Sequence, residues 1–315
     1  MYNKQIHIYP VPWDITTTCQ NGTAKGSNKI KQVIHQVDDI HPFSSNMKNI
    51  VFESASKRII DLQSSYADIS RDIINTCNQG KALNQNQKTA LHDINKASYE
   101  MNQIVYSDCL ELLDKGPMIL CGGEHGVGIG YIQALAQKNK NFGILQIDAH
   151  MDCRIQYFGY DYSHASVITH YANIPEVSAI TQVGIRDYDA SEIDFQKESE
   201  KQFYVFKDYD CHKRLFEGDT WKMITTEIVN SLPENVVISL DIDGLSPDLS
   251  SASGTPVPGG ITWNQLIYLL ECISQHKTVL GAELVEVRTE SDNHIWPALV
   301  GAKIMKLLAN LIDFY

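Results

Sequence analysis

Two apolar runs in this chain each break off into a cluster of acidic residues. Phe142-Gly143-Ile144-Leu145-Gln146 leads into Ile147-Asp148-Ala149-His150-Met151-Asp152. Asn235-Val236-Val237-Ile238-Ser239-Leu240 leads into Asp241-Ile242-Asp243. In an extended segment, residues i, i+2 and i+4 point to one side. Asp148, His150 and Asp152 are therefore delivered to one point at the end of a strand. A run that is apolar at successive positions fits a strand buried on both faces, as in a parallel sheet covered by helices. The second cluster repeats the arrangement, and the pair points to a polynuclear metal site.

The rest of the chain agrees with that architecture. Short apolar runs alternate with helical patterns, the signature of an α/β fold with three layers, α/β/α, around a mainly parallel sheet. The runs predict strands over 5–9, 117–121, 142–148, 179–184, 203–207, 235–242 and 279–285. Helical spacing predicts helices over 24–37, 87–114, 126–138, 221–231, 262–275 and 296–311. The longest carries Leu91, Ile94, Met101, Ile104, Val105 and Leu112 on one face and stops at Gly116-Pro117. Residues 38–57 read as irregular. Asn84-Gln85-Asn86-Gln87 reads as a loop and helix start rather than a domain boundary, so the 315 residues are expected to form a single domain over 1–315.

The formal net charge of −12 argues against non-specific binding to nucleic acid or to a membrane surface. It is compatible with a cationic substrate. The seven cysteines are scattered, without a CxxC, as expected of buried thiols in a reducing compartment. Residues 1–7 lack the apolar core of a signal peptide, and no stretch approaches the roughly 20 apolar residues that span a bilayer. The expected location is the cytoplasm.

Ligands in such sheets gather beyond the carboxyl ends of the strands. Three of the predicted strands end in groups that can hold metal: His125 after the run 117–121, Asp148, His150 and Asp152 after 142–147, and Asp241 and Asp243 after 235–240. Their oxygen and imidazole donors suit Mn²⁺, Fe²⁺, Co²⁺ or Ni²⁺. The carboxylates would repel one another unless cations lay between them. Two ions about 3.5–4 Å apart would hold a water and lower its pKa towards neutrality. Taken singly, His125 reads as a loop histidine, and Asp241-Ile242-Asp243 as a helix cap. It is their joint occurrence at three strand ends that favours metal.

These segments carry a resemblance. Gly122-Gly123-Glu124-His125, then Asp148-Ala149-His150-Met151-Asp152, then Ser239-Leu240-Asp241-Ile242-Asp243 resemble, in order, the three metal signatures of the arginase–agmatinase (ureohydrolase) family. Val11-Pro12-Trp13-Asp14 with Asn21-Gly22-Thr23-Ala24-Lys25-Gly26, the stretch Gly254–Thr262, and Val285-Glu286-Val287 extend the likeness over roughly residues 6–310. Glu124 and the segments 152–159 and 162–167 are closest to agmatinases.

The resemblance implies an arginase-like fold and a hydrolase of linear amidines that uses two Mn²⁺, other divalent transition metals being alternatives. It implies that His125, Asp148, Asp152 and Asp241 bind one ion, and that Asp148, His150, Asp241 and Asp243 bind the other. Hydroxide held between them would attack the guanidinium carbon. Asp152 would take its proton, His164 would shuttle protons, and Glu286 would pair with the guanidinium. The implied substrate is agmatine, a small cationic guanidine, giving putrescine for polyamine biosynthesis, and urea. Guanidinobutyrate, guanidinopropionate, arginine and formimidoylglutamate are the alternatives. A catalytically silent metal-binding paralogue would be expected to have lost ligands. The family also implies a homo-oligomer, a trimer or hexamer.

The chain departs from the family at Ser246-Pro247, at Ser251-Ala252-Ser253, at His170 and at Val287-Arg288-Thr289, positions that bear on substrate rather than on metal. Arg154 and Tyr157 read equally as neighbours of the site or as surface. Gly126-Val127-Gly128-Ile129-Gly130-Tyr131 resembles a dinucleotide loop, but Tyr131 stands where the third glycine belongs. Small residues there are expected instead to let the helix approach the sheet. Cys153 reads as a small buried side chain rather than a nucleophile.

Overall fold

A computed structural model describes residues 5–38, 49–249, 253–289 and 295–312. In chain order the elements are β1 (Gln5–Pro10), α1 (Gly26–Val33), β2 (Asn49–Phe52), α2 (Lys57–Asn78), α3 (Gln85–Lys115), β3 (Met118–Cys121), α4 (Gly128–Lys138), β4 (Phe142–Ile147), α5 (Val167–Ala172), β5 (Val177–Ile185), α6 (Ala190–Glu198), β6 (Gln202–Lys207), α7 (Asp208–Phe216), α8 (Trp221–Asn230), β7 (Asn235–Asp241), α9 (Trp263–His276), β8 (Thr278–Val285) and α10 (Trp296–Leu311). The strands form one sheet in the order β2-β1-β3-β8-β7-β4-β5-β6. Every pairing between them is parallel, so the mainly parallel sheet of the sequence reading is wholly parallel among the described residues.

Side-chain alternation along the strands divides the core in two. Ile6 and Ile8 of β1, Ile119 and Cys121 of β3, Leu145 and Ile147 of β4, and Val236, Ile238 and Leu240 of β7 face one cluster, with side chains of α1, α8, α9 and α10. Tyr9, Met118, Leu120, Phe142, Ile144 and Val237 face the other, with side chains of α2, α3, α4 and α5. These two clusters are the outer interfaces of the three layers. Burying one such Ile or Leu contributes about 1.5–3 kcal/mol, which is why each strand reads as a nearly unbroken apolar run.

The structure corrects the sequence reading in places. Residues 49–52 of the supposedly irregular stretch form the edge strand β2; residues 39–48 of that stretch lie outside the described residues. The 22-residue α2 was not anticipated, although Ile59, Leu62, Ile73 and Ile74 line its buried face. Helices α5, α6 and α7 were missed as well. The helix expected over 24–37 is a short α1 flanked by 3-10 turns. Asn84 caps α3 with a reciprocal hydrogen bond to Gln87, in accord with a helix start at that point. Cys109, Cys121, Cys153 and Cys211 are buried free thiols. Among the described residues no helix is long and apolar enough to cross a membrane.

The glycines at 128 and 130 serve packing. A Cβ on Gly128 would collide with the Glu283 carboxylate and the Tyr171 hydroxyl, and one on Gly130 with the backbone carbonyl of Asn102 in α3. The Gly130 N–H donates to Asn102 Oδ1 at 3.0 Å, so the start of α4 is docked against α3. Gly130→Ala is therefore expected to destabilise the protein. Helix propensity favours alanine by about 1 kcal/mol, but the carbonyl cannot move aside as a side chain can. The net loss should be about 1–3 kcal/mol, the usual cost of overpacking. A denaturation midpoint equal to or above the parent's would refute this account of the close approach.

Candidate metal centre

Strand register builds the site. Cys121 of β3 pairs with Leu284 of β8, Asp241 of β7 with Val285 of β8, and Leu240 of β7 with Ile147 of β4. The four strands are contiguous and end at one level. The residues that follow, His125, Glu286, Asp241 with Asp243, and Asp148 with His150 and Asp152, therefore meet above the middle of the sheet. The connection from β3 to His125 is close-fitting. A Cβ on Gly123 would collide with the backbone of Trp13, so the turn lies directly under the N-terminal loop.

Asp148 joins two donor groups. His125, Asp148 and Asp241 offer ligand atoms within 4.8 Å of one another, as do Asp148, His150 and Asp243. The two oxygens of Asp148 divide between them: Oδ2 lies 3.1 Å from His125 Nδ1, and Oδ1 lies 3.5 Å from His150 Nδ1. His125 Nδ1 is also 3.0 Å from Asp152 Oδ2 and 3.7 Å from Asp241 Oδ2. Asp243 Oδ2 is 3.5 Å from His150 Nδ1. All six ligand candidates are thus brought together. Asp241 groups with the His125 side alone by this measure, and Asp152 reaches the cluster through His125.

The donor set fits cations. His125 Nε2 lies 2.8 Å from the hydroxyl of Ser239, which can take its proton. In that tautomer the Nδ1 lone pair faces carboxylate oxygens; burial lowers the ring's pKa, but Asp148 and Asp152 outweigh it and hold the pKa well above the ordinary value when no cation lies between them. A lone pair set against anions is repulsive unless a cation lies between them. The carboxylates carry the same strain. Burial, then the charges of Asp243 and Asp148, hold the Asp241 carboxyl well above the usual range. Burial and then Asp148 push Asp152 up to about 7. Divalent cations would offset both shifts by favouring the charged carboxylates.

Glu286 stands at the end of β8 with φ 60° and is 2% exposed. Its Oε1 accepts the backbone N–H of His125 at 2.9 Å, while Oε2 is buried and without a partner. A Cβ on Gly254 would come within 2.6 Å of that oxygen, so the glycine keeps the space beside it clear. Asp152, at φ 52°, also adopts the left-handed backbone region. Such conformations cost about 1–3 kcal/mol in residues other than glycine and gather at functional sites.

His164 opens a 3-10 turn whose first turn is capped by Ser163. Burial, reinforced by His150 and His125, pushes its pKa down to about 3, so the ring is neutral. It lines a cleft of about 460 Å³ with Thr18, His150, Asp152, Arg154 and Tyr157. Arg154 is not simply a surface residue. Its guanidinium pairs with Asp189 at 2.5 Å and Glu192 at 3.6 Å and lies over the Tyr157 ring at 4.6 Å. His170 is stacked on Tyr162 and is not among the residues lining the cleft. Arg288, one of the departures, donates to the Asn21 carbonyl at 2.9 Å and so ties the end of β8 to the N-terminal loop. Of the altered loop, Ser251 and Ala252 lie outside the described residues.

A family model for the arginase family matches residues 4–309. The chain belongs to the arginase family. Among its relatives, the N(1)-aminopropylagmatine ureohydrolase of Thermus thermophilus is 32% identical over 196 residues, 62% of this chain and 63% of that one. The chain thus aligns with a little under two thirds of that relative's length. A Pseudomonas aeruginosa guanidinobutyrase is 26% identical over 300 residues, 94% of this chain and 82% of the relative. Two solved structures share the fold. The agmatine ureohydrolase of Thermoplasma volcanium has a TM-score of 0.69 at 20% identity, covering 98% of this chain and 89% of that one. The proclavaminate amidino hydrolase of Streptomyces clavuligerus has a TM-score of 0.72 at 17% identity, covering 98% and 91%. The arginase-like architecture expected from the sequence is therefore present.

Proposed function

We propose that this arginase-family chain, as one catalytic domain over 1–315, hydrolyses a guanidino compound to urea and an amine, with agmatine as the first candidate substrate. The observation that carries the reading is the pair of donor groups sharing Asp148, beside a buried Glu286 oxygen that has no partner. His125, Asp148, Asp152 and Asp241 would hold one divalent ion, and Asp148, His150, Asp241 and Asp243 a second, manganese being the metal to supply first. When bound, such a pair lowers the pKa of water towards neutrality and so provides hydroxide at the guanidinium carbon. Glu286 orients the planar cation through its free Oε2. Asp152, which lines the cleft, takes the proton released when water adds. Neutral His164 carries a proton between the cleft and the leaving amine. Water adds to carbon, the C–N bond to the alkylamine breaks, and that amine leaves protonated.

The choice of agmatine is supported by charge. Arg154, the arginine in the cleft wall, is already paired with Asp189 and Glu192, and so is poorly placed to receive a substrate carboxylate. A second reading, guanidinobutyrate, is favoured by the long alignment with the Pseudomonas guanidinobutyrase. A cytoplasmic homo-oligomer, trimeric or hexameric, completes the proposal. Urea release from agmatine, N(1)-aminopropylagmatine, guanidinobutyrate, guanidinopropionate and arginine, with formamide release from formimidoylglutamate, decides between the readings. Agmatine is expected to give the highest kcat/KM with Mn²⁺ supplied. A preference for a guanidino acid would overturn the charge argument, and no turnover of any of them would overturn the hydrolase reading.

A further inference from the structure

We propose that Thr18 is a positioning residue for His164 and that Glu124 anchors the loop that carries it; the inference rests on the proton-carrying role given to His164 above. The hydroxyl of Thr18 lies 3.2 Å from His164 Nε2, and both side chains line the cleft. The same loop grips the histidine's backbone, because His164 N–H donates to Thr16 Oγ1 at 3.0 Å. One carboxylate fixes the loop in turn. Glu124 Oε2 accepts the Thr16 N–H at 2.8 Å and the Thr17 hydroxyl at 3.1 Å, and Oε1 accepts the Thr16 hydroxyl at 2.8 Å. Glu124 and Thr16 are fully buried and Thr17 nearly so. Hydrogen bonds therefore run from Glu124, the residue before His125, through Thr16 to the backbone of His164, and Thr18, two residues further along the same anchored loop, meets its ring.

A hydroxyl suits this task for a chemical reason. It both donates and accepts. It can donate to Nε2 when the ring is neutral and accept from Nε2–H when the ring is charged. A carboxylate at this point would favour the charged ring, and a backbone carbonyl would hold only the protonated nitrogen. A rotating hydroxyl lets the ring gain and lose a proton without changing place. Misplacing a reacting group by about 1 Å can cost roughly 10²-fold in rate, so the orientation is worth holding.

The test compares Thr18→Val, which keeps the shape and removes the hydroxyl, with Thr18→Ser, which keeps the hydroxyl. Urea release by the manganese-loaded protein gives kcat and KM. The imidazole nitrogen resonances of metal-free, ¹⁵N-histidine-labelled protein give a readout independent of turnover, with His164 assigned by its loss in His164→Gln. Thr18→Val is expected to lower kcat about 10–100-fold with KM little changed, and to shift the Nε2 resonance of His164. Thr18→Ser is expected to restore most of both, and Thr18→Ala replaces the valine variant if that does not fold. A parental kcat in Thr18→Val, a loss confined to KM, a serine variant that restores nothing, or an unmoved His164 resonance would overturn the proposal. If the parent protein releases no urea from any guanidine, the functional reading fails, while the histidine spectrum still decides whether Thr18 holds the ring.

Discussion

Asp148→Asn is expected to lower urea release by about 10³-fold or more and to remove most of the rise in Tm that Mn²⁺ gives the parent protein. The substitution keeps the size of the side chain and removes its charge. Asp148 is the residue shared by the two donor groups, one oxygen towards each histidine. Its loss weakens both positions at once, whereas loss of Asp243 would strike directly only the group it shares with His150. Metal activation supplies several kcal/mol to such a reaction, and each 1.4 kcal/mol is a factor of ten. A bound ion stabilises the folded state by an amount that rises with the logarithm of its concentration over Kd, so a thermal shift reads binding without turnover. An Asp148→Asn protein that releases urea at the parental rate, or whose Tm rises with Mn²⁺ as the parent's does, would sink the assignment of this cluster.

The second large effect is expected at Glu286. Glu286→Gln should lower kcat/KM for agmatine by roughly 30- to 5,000-fold, the equivalent of about 2–5 kcal/mol for breaking a buried, hydrogen-bonded charge pair. The glutamine can still accept the His125 N–H, so the loop geometry and the response of Tm to Mn²⁺ should persist. What disappears is the oxygen that has no partner within the protein and that a bound guanidinium would hold in its charged form. Unaltered kcat/KM, or a loss of the Mn²⁺ response equal to that of Asp148→Asn, would mean that Glu286 does not receive the guanidinium.

The ligand cluster was legible in the sequence because two simple regularities coincide in it. The alternation expected of an extended segment groups Asp148, His150 and Asp152, although all three lie past the end of β4 and Asp152 turns at φ 52°, and the parallel arrangement brings strand ends together. Neither regularity reaches Thr18. Its partner His164 is 146 residues away, and three threonines in a row have no period to read. Ser239 was visible as part of a signature, but its task of occupying His125 Nε2 depends on which ring nitrogen faces it, and spacing does not reveal that. The division of Asp148 between two groups likewise appears only once both histidines are placed. In the fold, α2 was passed over because it adjoins a stretch without periodicity, although its buried isoleucines and leucine keep helical spacing. The edge strand β2 has four residues, only partly buried or exposed, and so lacks the apolar run that announced the central strands.

The adjacency of β3, β8, β7 and β4 has a consequence for how such a protein can diverge. Neighbouring strands are held about 4.8 Å apart by backbone hydrogen bonds, whatever their side chains. The ladder acts as a ruler, setting the spacing of the candidate ligands from peptide geometry, beyond the reach of most substitutions. The threonine loop and the outer wall around Arg154 and Tyr157 are not bound by it. Grafting these segments between homologues should therefore exchange substrate preference while the gauge of the proposed metal centre is inherited unaltered.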